Sequence, residues 1–314
     1  TYPVSDKTEN SATCGGNVTD DGGSYVTAKG ICWNTSGEPT IYDSHTNDGV
    51  GTGSYISYMT GLYPGETYYV RAYATNSEGT SYGDEVDFET LETNTVTDID
   101  GNIYQTVQIG SQIWMAENLK VTHYADGSAI PLIENNTIWE NLEHTDKAYC
   151  WYNNNTALGD VYGGLYTWAA AMNGNISSDA KPSGIQGVCP DGWHLPSDAE
   201  WKQLEIYLGM SPAEADNTGF RGSDEGGMLK ESGTSHWVSP NTGATNSSGF
   251  TALPGGYRYE DGTYNEVGYL GLFWTTTEYT SLYVWRHSLA YDHQDIRRFY
   301  STKKHGFSVR CIKD

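Results

Sequence analysis

The sequence predicts a mostly β protein of two domains, of which the second belongs to the α+β class. A length of 314 residues is typical of two domains, and 37% hydrophobic residues with 10 Trp and 25 Tyr can fill two cores. The 37 Gly, with abundant Asn, Ser and Thr, favour turns and strands over long helices. Regularly spaced strand patterns occupy the first part of the chain, and helix signals occur later.

The charge balance argues against two classes of partner. There are 17 Lys and Arg against 40 Asp and Glu, and the formal net charge of −23 repels phosphate backbones and anionic lipid. We therefore expect no nucleic-acid partner. No stretch approaches about 18 apolar residues, so we also expect no membrane span. The N-terminal residues lack the regions of a signal peptide, so we expect any export signal to be missing from this sequence.

Residues 1–92 predict a β-sandwich. Turns at DDGG, NDGVGTG, YPGE and NSEG separate the strand patterns SATCGGNV, TAKGICWN, GSYISYMTGL, TYYVRAYATN and GDEVDFETL. The Pro64-Gly65 corner before Tyr68 suits a phenol that folds back onto the turn. It resembles the E–F corner of fibronectin type III domains, and the resemblance covers nearly all of this segment. The resemblance implies a spacer or presenting module, common in surface proteins of Bacteroidetes-type bacteria, with Cys14 and Cys32 on neighbouring strands and paired as a disulfide.

Residues 93–97 predict a linker, because the surrounding stretch is short, polar and free of helix signals, and residues 98–314 form the second domain. The second domain opens with a turn at residues 98–101 and two strand patterns joined at Gly110, which predict a hairpin. The block YGGLYTWAAAM, residues 162–172, has the apolar spacing and Ala content of a short buried helix.

The clearest helix signal begins at Ser197. Ser197 and Glu200 have the spacing of a capping box, in which each side chain bonds to the backbone of the other residue. Apolar residues then mark one face of about three turns, namely Trp201, Leu204 and Leu208. Ile206 falls outside that stripe, so the helix is either buried on more than one side or imperfectly patterned. From residue 248 the chain returns to strand patterns.

Seven blocks in the second domain occur in a specific order. They are IGSQIWMAENLK, AYCWYNN, YGGLYTWAAAM, GVCPDGWHLPSDAEWKQL, GFTALPGGYR, FWTTTE and GFSVRCIKD. Together they strongly resemble the Fibrobacter succinogenes major paralogous domain, which looks like a relative of the C-type-lectin-like and formylglycine-generating-enzyme folds. The resemblance implies an α+β domain with a small twisted sheet, two helices, long loops and adjacent termini.

The five cysteines fit no CxxC metal site, which favours two disulfides and one spare thiol in an oxidising compartment over five buried thiols in the cytosol. In the resembled fold, a disulfide between Cys189 and Cys311 would staple the ends of the domain. The alternative is a thiolate pair that binds copper, as in the oxidase that shares this fold. Cys150 is then the spare thiol, packed among aromatic residues.

The titratable residues indicate neither a catalytic nor a metal site. His194 is more typical of a hydrogen-bonded core histidine than of a general base. His287, His293 and His305 have spacings that match no helical or finger pattern. Residues 98–101 begin like a calcium loop but lack its later acidic positions, and no Glu-Pro-Asn sugar motif occurs. We expect no catalytic residue, no metal ligand and no cofactor, with structural calcium left open.

The segment between Trp274 and the closing strand is crowded with recognition-type side chains. Anchors such as Trp285 are expected to pack, and the residues between them to face outward and bind a ligand, with Arg258 and Tyr264 extending the surface. The candidate ligand-binding residues are Tyr257, Tyr279, Tyr283, Arg286, His287, Ser288, Tyr291, Asp292, His293, Asp295, Arg297 and Tyr300. This mixture of Tyr, Ser, His and Arg is typical of antibody paratopes. The alternative is a solvated strand face, which would carry more Lys and Glu.

Some relatives in the resembled superfamily are variable proteins of diversity-generating retroelements, in which adenine-containing codons are rewritten. An AAC codon can become a codon for Tyr, His, Asp, Ser or Arg but not for Trp or Gln. Most of the candidate residues could therefore vary, whereas Trp285 and Gln294 would stay constant.

Taken with these resemblances, the sequence predicts a non-catalytic extracellular binding protein, an adhesin or receptor-recognition head. Its expected location is a bacterial cell surface or pilus tip, with a phage tail as the alternative. The expected partner is a protein or glycan on another cell, host or phage surface, and other pilus or surface-assembly subunits are further candidates. The alternative functions are a copper-dependent oxidase of the formylglycine-generating type and a purely structural spacer.

Overall fold

The computed structural model describes residues 1–92 and 94–314. The chain forms two compact units, Thr1–Thr93 and Asn94–Asp314. Both are rich in strands, and the described helices all lie in the second unit, as the predicted fold class requires. None of the helices in the described ranges is long and apolar enough to cross a bilayer.

The first unit is a sandwich of two sheets. Its strands are β1 (Ser11–Val18), β2 (Ala28–Asn34), β3 (Ser44–His45), β4 (Gly53–Thr60), β5 (Thr67–Asn76), β6 (Gly79–Tyr82) and β7 (Val86–Glu89). β1 pairs with β4, and the second sheet has the order β3-β2-β5-β6 with β7 also on β5. Along β4, buried Tyr55 and Met59 alternate with exposed Ile56 and Tyr58, because successive side chains point to opposite faces. Both sheets contribute to one core, in which Ile31 is fully buried.

The corner before β5 has the predicted geometry. The backbone nitrogen of Tyr63 donates to the hydroxyl of Tyr68 at 3.0 Å, so the phenol folds back onto the turn. Gly65 has a φ of 63°, which a residue with a Cβ adopts only under strain. The fold-back of Tyr68 is therefore confirmed.

The predicted disulfide between Cys14 and Cys32 is wrong, and both are buried thiols. Cys14 lies in β1 and Cys32 in β2, which belong to different sheets rather than to neighbouring strands of one sheet. The Cys32 sulfur points to the carbonyl oxygens of Pro39 and Arg71, at 3.3 Å and 3.5 Å, and that of Cys14 to the carbonyl oxygen of Tyr2. Cys150 is also a buried thiol, so the described chain has one disulfide and three thiols rather than two disulfides and one thiol.

The second unit contains most of the secondary structure. Its strands are β8 (Thr95–Thr97), β9 (Ile103–Ile109), β10 (Gln112–Met115), β11 (Tyr149–Cys150), β12 (Leu165–Tyr166), β13 (Trp193–His194), β14 (Gly219–Arg221), β15 (Gly255–Arg258), β16 (Tyr264–Val267), β17 (Leu270–Glu278), β18 (Tyr283–Ala290), β19 (Ile296–Thr302) and β20 (Ile312–Lys313). Its helices are α1 (Asn136–Glu140), α2 (Thr156–Tyr162), α3 (Trp168–Met172), α4 (Asp198–Leu208), α5 (Pro212–Ala215) and α6 (Glu225–Leu229). The resemblance implied two helices; the described part has six, and five of them are seven residues or shorter.

Two larger sheets organise this unit. One has the order β13-β20-β10-β9-β8, and the other the order β14-β19-β18-β17-β15-β16. The first and last strands of the unit, β8 and β20, therefore share a sheet. The β9–β10 hairpin is confirmed, with Ile109 opposite Gln112. The prediction of a linker is wrong for residues 95–97, because they form a strand that pairs with β9 and Val96 packs against the core.

Helix α4 begins at the predicted capping box. The backbone nitrogen of Glu200 donates to Ser197 Oγ at 3.1 Å, and that of Ser197 donates to Glu200 Oε2 at 2.9 Å. Trp201 and Leu204 are buried, whereas Ile206 is exposed. The short buried helix predicted in residues 162–172 is present as α3, all of whose side chains are buried. Helix α4 packs on β17 and β18, and this packing decides which residues of the recognition segment remain accessible.

A disulfide joins Cys189 to Cys311, as the resemblance implied. Cys189 precedes α4 and Cys311 directly precedes β20, at a sequence separation of 122. Both lie in a core with Trp274 and Phe307.

Candidate functional site

The recognition segment forms the antiparallel pair β18–β19. Trp285 lies opposite Tyr300, His287 opposite Arg298 and Ser288 opposite Arg297. Because side chains alternate along a strand, Trp285, Tyr300, His287 and Arg298 share one face, and Arg286 and Ser288 lie on the other. The candidate residues are therefore divided between two surfaces.

Four aromatic rings, two exposed and two half-buried, form a cluster at one end of this pair, which we call the aromatic patch. It consists of Tyr279, Tyr283, Trp285 and Tyr300. Tyr279 stacks on Tyr300 with ring centroids 4.4 Å apart, and Trp285 meets Tyr279 edge-on at 4.8 Å. Tyr283 meets Tyr300 edge-on at 5.6 Å. Tyr279 is 48% exposed and Tyr283 37% exposed, and the neighbouring Leu282 is also exposed. These rings can therefore contact a ligand.

A buried ion pair supports the patch from below. The guanidinium carbon of Arg298 lies 3.7 Å from the ring centroid of Trp285. Arg298 binds Asp198 in a bidentate manner, with Nε to Oδ1 and Nη2 to Oδ2 both at 2.7 Å. Burial would raise the pKa of Asp198, but hydrogen bonds and charges from His287 and Arg298 outweigh it and hold that pKa well below its usual range. The indole of Trp285 therefore rests on a fixed cation.

The prediction that His287 lies on an exposed surface is wrong, because α4 covers this residue. Its Nδ1 lies 2.7 Å from Glu205 Oε1 and its Nε2 lies 3.1 Å from Asp198 Oδ1. The imidazole also stacks on Trp201 at 5.0 Å. Asp198 and Glu205 lie two turns apart on α4 and face β18 together, so His287 is a structural residue at the helix–sheet interface.

Arg286 and Ser288 are also buried, contrary to the prediction. They lie on the opposite face of β18, where Arg286 Nη1 donates to Ser288 Oγ at 2.7 Å and Nε donates to Ser301 Oγ at 2.9 Å. Burial, together with the nearby charge of Arg297, lowers the pKa of Arg286 to about 9. Tyr257 belongs to this face, because its ring and the Arg286 guanidinium both lie within 6 Å of the Phe307 ring.

The other candidate residues lie at the opposite end of β18. Tyr291 packs edge-on against Tyr269 at 5.1 Å. His293 stacks on Phe220 at 3.7 Å, and its Nδ1 lies 3.0 Å from Asp295. Asp292 is exposed, and Arg297 lies over the rings of Phe220 and Phe299. These side chains do not join the aromatic patch.

Arg258 and Tyr264 do not extend the surface as expected. Arg258 is fully buried and donates to backbone oxygens of Ile133, Glu134 and Gly262. The Tyr264 ring packs on Tyr152 at 5.3 Å. Arg258 anchors the loop before α1 to the hairpin β15–β16, and Tyr264 packs the same hairpin on the turn after β11.

His194 is a core histidine, as its surroundings in the sequence indicated. Its Nε2 lies 2.8 Å from Glu200 Oε1, and its Nδ1 lies 2.7 Å from Asp314 Oδ1. Burial lowers the pKa of His194, but the two carboxylates outweigh burial and raise it above the usual value. The imidazole therefore links the cap of α4 to the last residue of the sequence.

The turn at residues 98–101 is explained by protein hydrogen bonds. The carboxylate of Asp98 accepts from the backbone nitrogens of Asp100 and Asn102, the Asn102 amide and the Tyr104 hydroxyl, at 2.5–3.0 Å. A cleft of about 230 Å³ lies nearby, beside Cys189 and His123. None of the twelve candidate ligand-binding residues lines this cleft.

Sequence reasoning assigned Trp285 to packing and missed that this half-buried ring is also part of the aromatic patch. The spacing Tyr283-x-Trp285 places both rings on one strand face and could have indicated it. It also missed Asp198 and Arg298, since the capping pattern of α4 does not show what the helix packs against.

Each of the matches to known proteins covers only part of the chain. No curated protein matches it at a significant level. Two structures of the sensor domain of the anti-sigma factor RsgI4 of Pseudobacteroides cellulosolvens match 29% of this chain. They share 18% and 20% identity over 91% and 72% of those chains, each with a TM-score of 0.23. The twitchin kinase region of C. elegans matches 39% of this chain and 25% of its own, with 16% identity and a TM-score of 0.21.

A family model matches residues 107–313, which is most of the second unit and more than half of the chain. The chain therefore belongs to the Fibrobacter succinogenes major domain family.

Proposed function

We propose that the second unit is a non-catalytic binding head and that the aromatic patch is its ligand-contacting surface. The observation that carries this proposal is the exposure of Tyr279 and Tyr283 within a cluster of four rings. Large rings with few rotatable bonds give much contact area at low entropic cost, and exposed clusters of them are typical of binding surfaces.

The rigid support of the patch favours the same function. Trp285 is held by Arg298, which is fixed in turn by both carboxylate oxygens of Asp198. A preformed surface loses little freedom when a ligand binds, so more of the contact energy appears as affinity. The first unit would then serve as a spacer or presenting module.

The cysteines support a non-catalytic role over the copper-dependent oxidase. That chemistry requires two thiolates as soft ligands, whereas Cys189 and Cys311 are joined to each other. A disulfide is also typical of oxidising compartments, which supports a location outside the cell, on a bacterial surface, a pilus tip or a phage tail. The partner would be a glycan or a protein on another surface, and a pilus or surface-assembly subunit is a further candidate.

The test is binding of the full chain to a glycan array and to a panel of immobilised bacterial and host surface proteins. We expect the wild type to retain a signal that the Tyr279→Ala/Tyr300→Ala variant loses by at least about tenfold. The Tyr207→Ala variant is the matched control, since Tyr207 is 65% exposed on α4 and lies outside the patch. Equal binding by all three proteins, or binding by none, would contradict the proposal and favour the structural spacer.

A diversified patch is a further part of the proposal. Tyr279, Tyr283 and Tyr300 are reachable from an AAC codon and Trp285 is not, so the three tyrosines would vary around a constant indole. A near-copy of the last third of the coding sequence that differs only at adenines would support this, and its absence from the genome would contradict it.

A further inference from the structure

Arg286 differs from the other buried arginines of the second unit. Four of these arginines use all three guanidinium nitrogens to donate to protein oxygens; they are Arg221, Arg258, Arg298 and Arg310. Arg286 donates through Nε to Ser301 and through Nη1 to Ser288, and its Nη2 has no acceptor among the described residues. Since a guanidinium carries about five N–H donors, roughly three of them stay unused by the protein.

The charge of Arg286 is also unpaired. In residues 1–92 and 94–314, no carboxylate lies within salt-bridge distance of Arg286 or Arg297. Arg221 and Arg298 each bind a carboxylate, whereas Arg258 and Arg310 bind none but donate to oxygens through every guanidinium nitrogen. Arg297 lies instead over Phe299, with its guanidinium carbon 4.9 Å from the ring centroid. Buried charges are normally paired, and this protein has 40 acidic side chains with which to pair them. Arg286 therefore lacks both a carboxylate and a full set of acceptors, and with Arg297 on the same sheet face it leaves donors and positive charge available to an anionic partner from outside the chain.

The surroundings of Arg286 combine hydroxyl groups with flat rings. Ser288 and Ser301 each accept a hydrogen bond from Arg286, which leaves their own O–H groups to donate. Phe307 lies beneath the guanidinium at 5.8 Å, and the half-buried ring of Tyr257 packs beside it at 5.9 Å. Phe299 lies opposite Arg286 on β19 and is partly exposed. Ring faces beside hydroxyls and a cation suit a sugar ring that carries an acidic group.

We propose that Arg286, Arg297, Ser288 and Ser301 form a binding site for the carboxylate of an acidic sugar. The planar guanidinium of Arg286 matches a carboxylate through paired N–H donors, and Arg297 adds a second positive charge at the rim. Tyr257 and Phe299 flank the sugar ring. The site lies on the face of β18–β19 opposite the aromatic patch, so it does not depend on the proposed role of that patch.

The test uses the full chain and sodium glucuronate, with glucose as the ring without a carboxylate and acetate as the carboxylate without a ring. Binding is measured by calorimetric titration and by the shift in melting temperature that a ligand of the folded state produces. We expect glucuronate to bind at least about tenfold more tightly than glucose or acetate, because only glucuronate uses both the cation and the rings. Equal affinity for glucose would overturn the proposal, and equal affinity for acetate would show a simple anion site. Tighter binding of triglutamate would assign the carboxylate to an acidic peptide instead.

Two variants locate the site. Arg286→Met should abolish glucuronate binding without lowering the melting temperature, since it removes a buried charge that has no partner in the chain. Arg297→Gln should weaken binding several-fold, while Lys120→Gln, a cation elsewhere in the unit, should bind like the wild type. Should Arg286→Met fail to fold, the Arg297→Gln variant still tests the proposal, because Arg297 is partly exposed. Unchanged glucuronate binding by Arg297→Gln would then overturn the proposal. Loss of glucuronate binding with unchanged ligand binding at the aromatic patch would concern this proposal alone. Loss of binding at the patch with unchanged glucuronate binding would concern the proposed function alone.

Discussion

Tyr279 and Tyr300 stack on each other, with ring centroids 4.4 Å apart and an angle of 15° between the rings. Tyr279 directly follows β17 and Tyr300 lies in β19, so their contact spans the end of the intervening strand β18. Trp285 on β18 meets both rings edge-on. The patch is therefore one packed unit built from three strands rather than a set of separate exposed side chains.

The stacking should be measurable as coupling between the two tyrosines. We expect the Tyr279→Ala and Tyr300→Ala changes to be non-additive in the free energy of unfolding by about 0.5–1.5 kcal/mol. Urea denaturation of both single variants and the double variant gives this coupling. Tyr207→Ala combined with Tyr300→Ala is the control and should be additive within about 0.5 kcal/mol. Additive losses for Tyr279 and Tyr300 would show that the rings do not support each other.

Asp198 should be the most important single carboxylate for stability. Asp198→Asn leaves the buried Arg298 without its carboxylate partner and removes one of the two carboxylates that contact His287, and breaking a buried pair typically costs about 3–5 kcal/mol. Asp216→Asn is the matched control, because Asp216 is largely exposed and its ion pair with Lys202 should contribute less than about 1 kcal/mol. Urea denaturation at neutral pH compares the two, and equal losses would contradict the supporting role of Asp198.

The ion pair between Asp198 and Arg298 also makes the stability of the folded state depend on pH. Since the folded-state pKa of Asp198 lies well below its unfolded value of about 3.9, its stabilisation is present above that pH and is lost as the pH falls. The wild type should therefore lose stability below about pH 4 more steeply than Asp198→Asn. Parallel acid profiles for the two proteins would contradict this.

The contribution of His194 to stability should change with pH in the opposite direction. Because its folded-state pKa is raised, its contribution is complete below the unfolded pKa of about 6.5 and is lost as the pH rises through the folded value. Urea denaturation between about pH 6 and pH 9 should show a decline in the wild type that is reduced in His194→Gln. An identical decline in both proteins would show that the carboxylates of Glu200 and Asp314 do not stabilise the charged imidazole.

The disulfide should stabilise the folded state strongly. It closes a loop of 122 residues, and its removal in a Cys189→Ser/Cys311→Ser variant should cost about 4–5 kcal/mol on the chain-entropy account. Thiol titration of the unreduced wild type should detect three thiols after denaturation and almost none before, since Cys14, Cys32 and Cys150 are buried. Five reactive thiols would contradict the pairing of Cys189 with Cys311.

Local patterns in the sequence predicted the elements that depend on local interactions. The capping box of Ser197 and Glu200, the β9–β10 hairpin and the fold-back of Tyr68 all use contacts between residues that are close in the chain. The disulfide between Cys189 and Cys311 joins distant residues and came from the family resemblance instead. The sandwich was predicted from strand spacing, but that spacing does not show which strands share a sheet, so Cys14 and Cys32 were wrongly paired.

The errors at the site have a common physical cause. Arg and Ser usually lie at the surface, and the sequence pattern placed Arg286, His287 and Ser288 there as residues between packing anchors. Their burial depends on α4 covering one face of β18 and on Phe307 lying beneath the other, which are contacts between distant parts of the chain. Tyr279 and Tyr283 are exposed as predicted, whereas Tyr257 and Tyr291 pack against the two cores.

The most direct test of the binding surface is hydroxyl-radical footprinting of the full chain, with and without the glycan or protein retained in the binding screen. Mass spectrometry then gives the oxidation of each tyrosine. If the aromatic patch is the contact surface, Tyr279, Tyr283 and Tyr300 will be protected by the ligand, and Tyr207 on α4 will be oxidised equally in both samples. Unchanged oxidation of the three patch tyrosines in the presence of bound ligand would contradict the central claim.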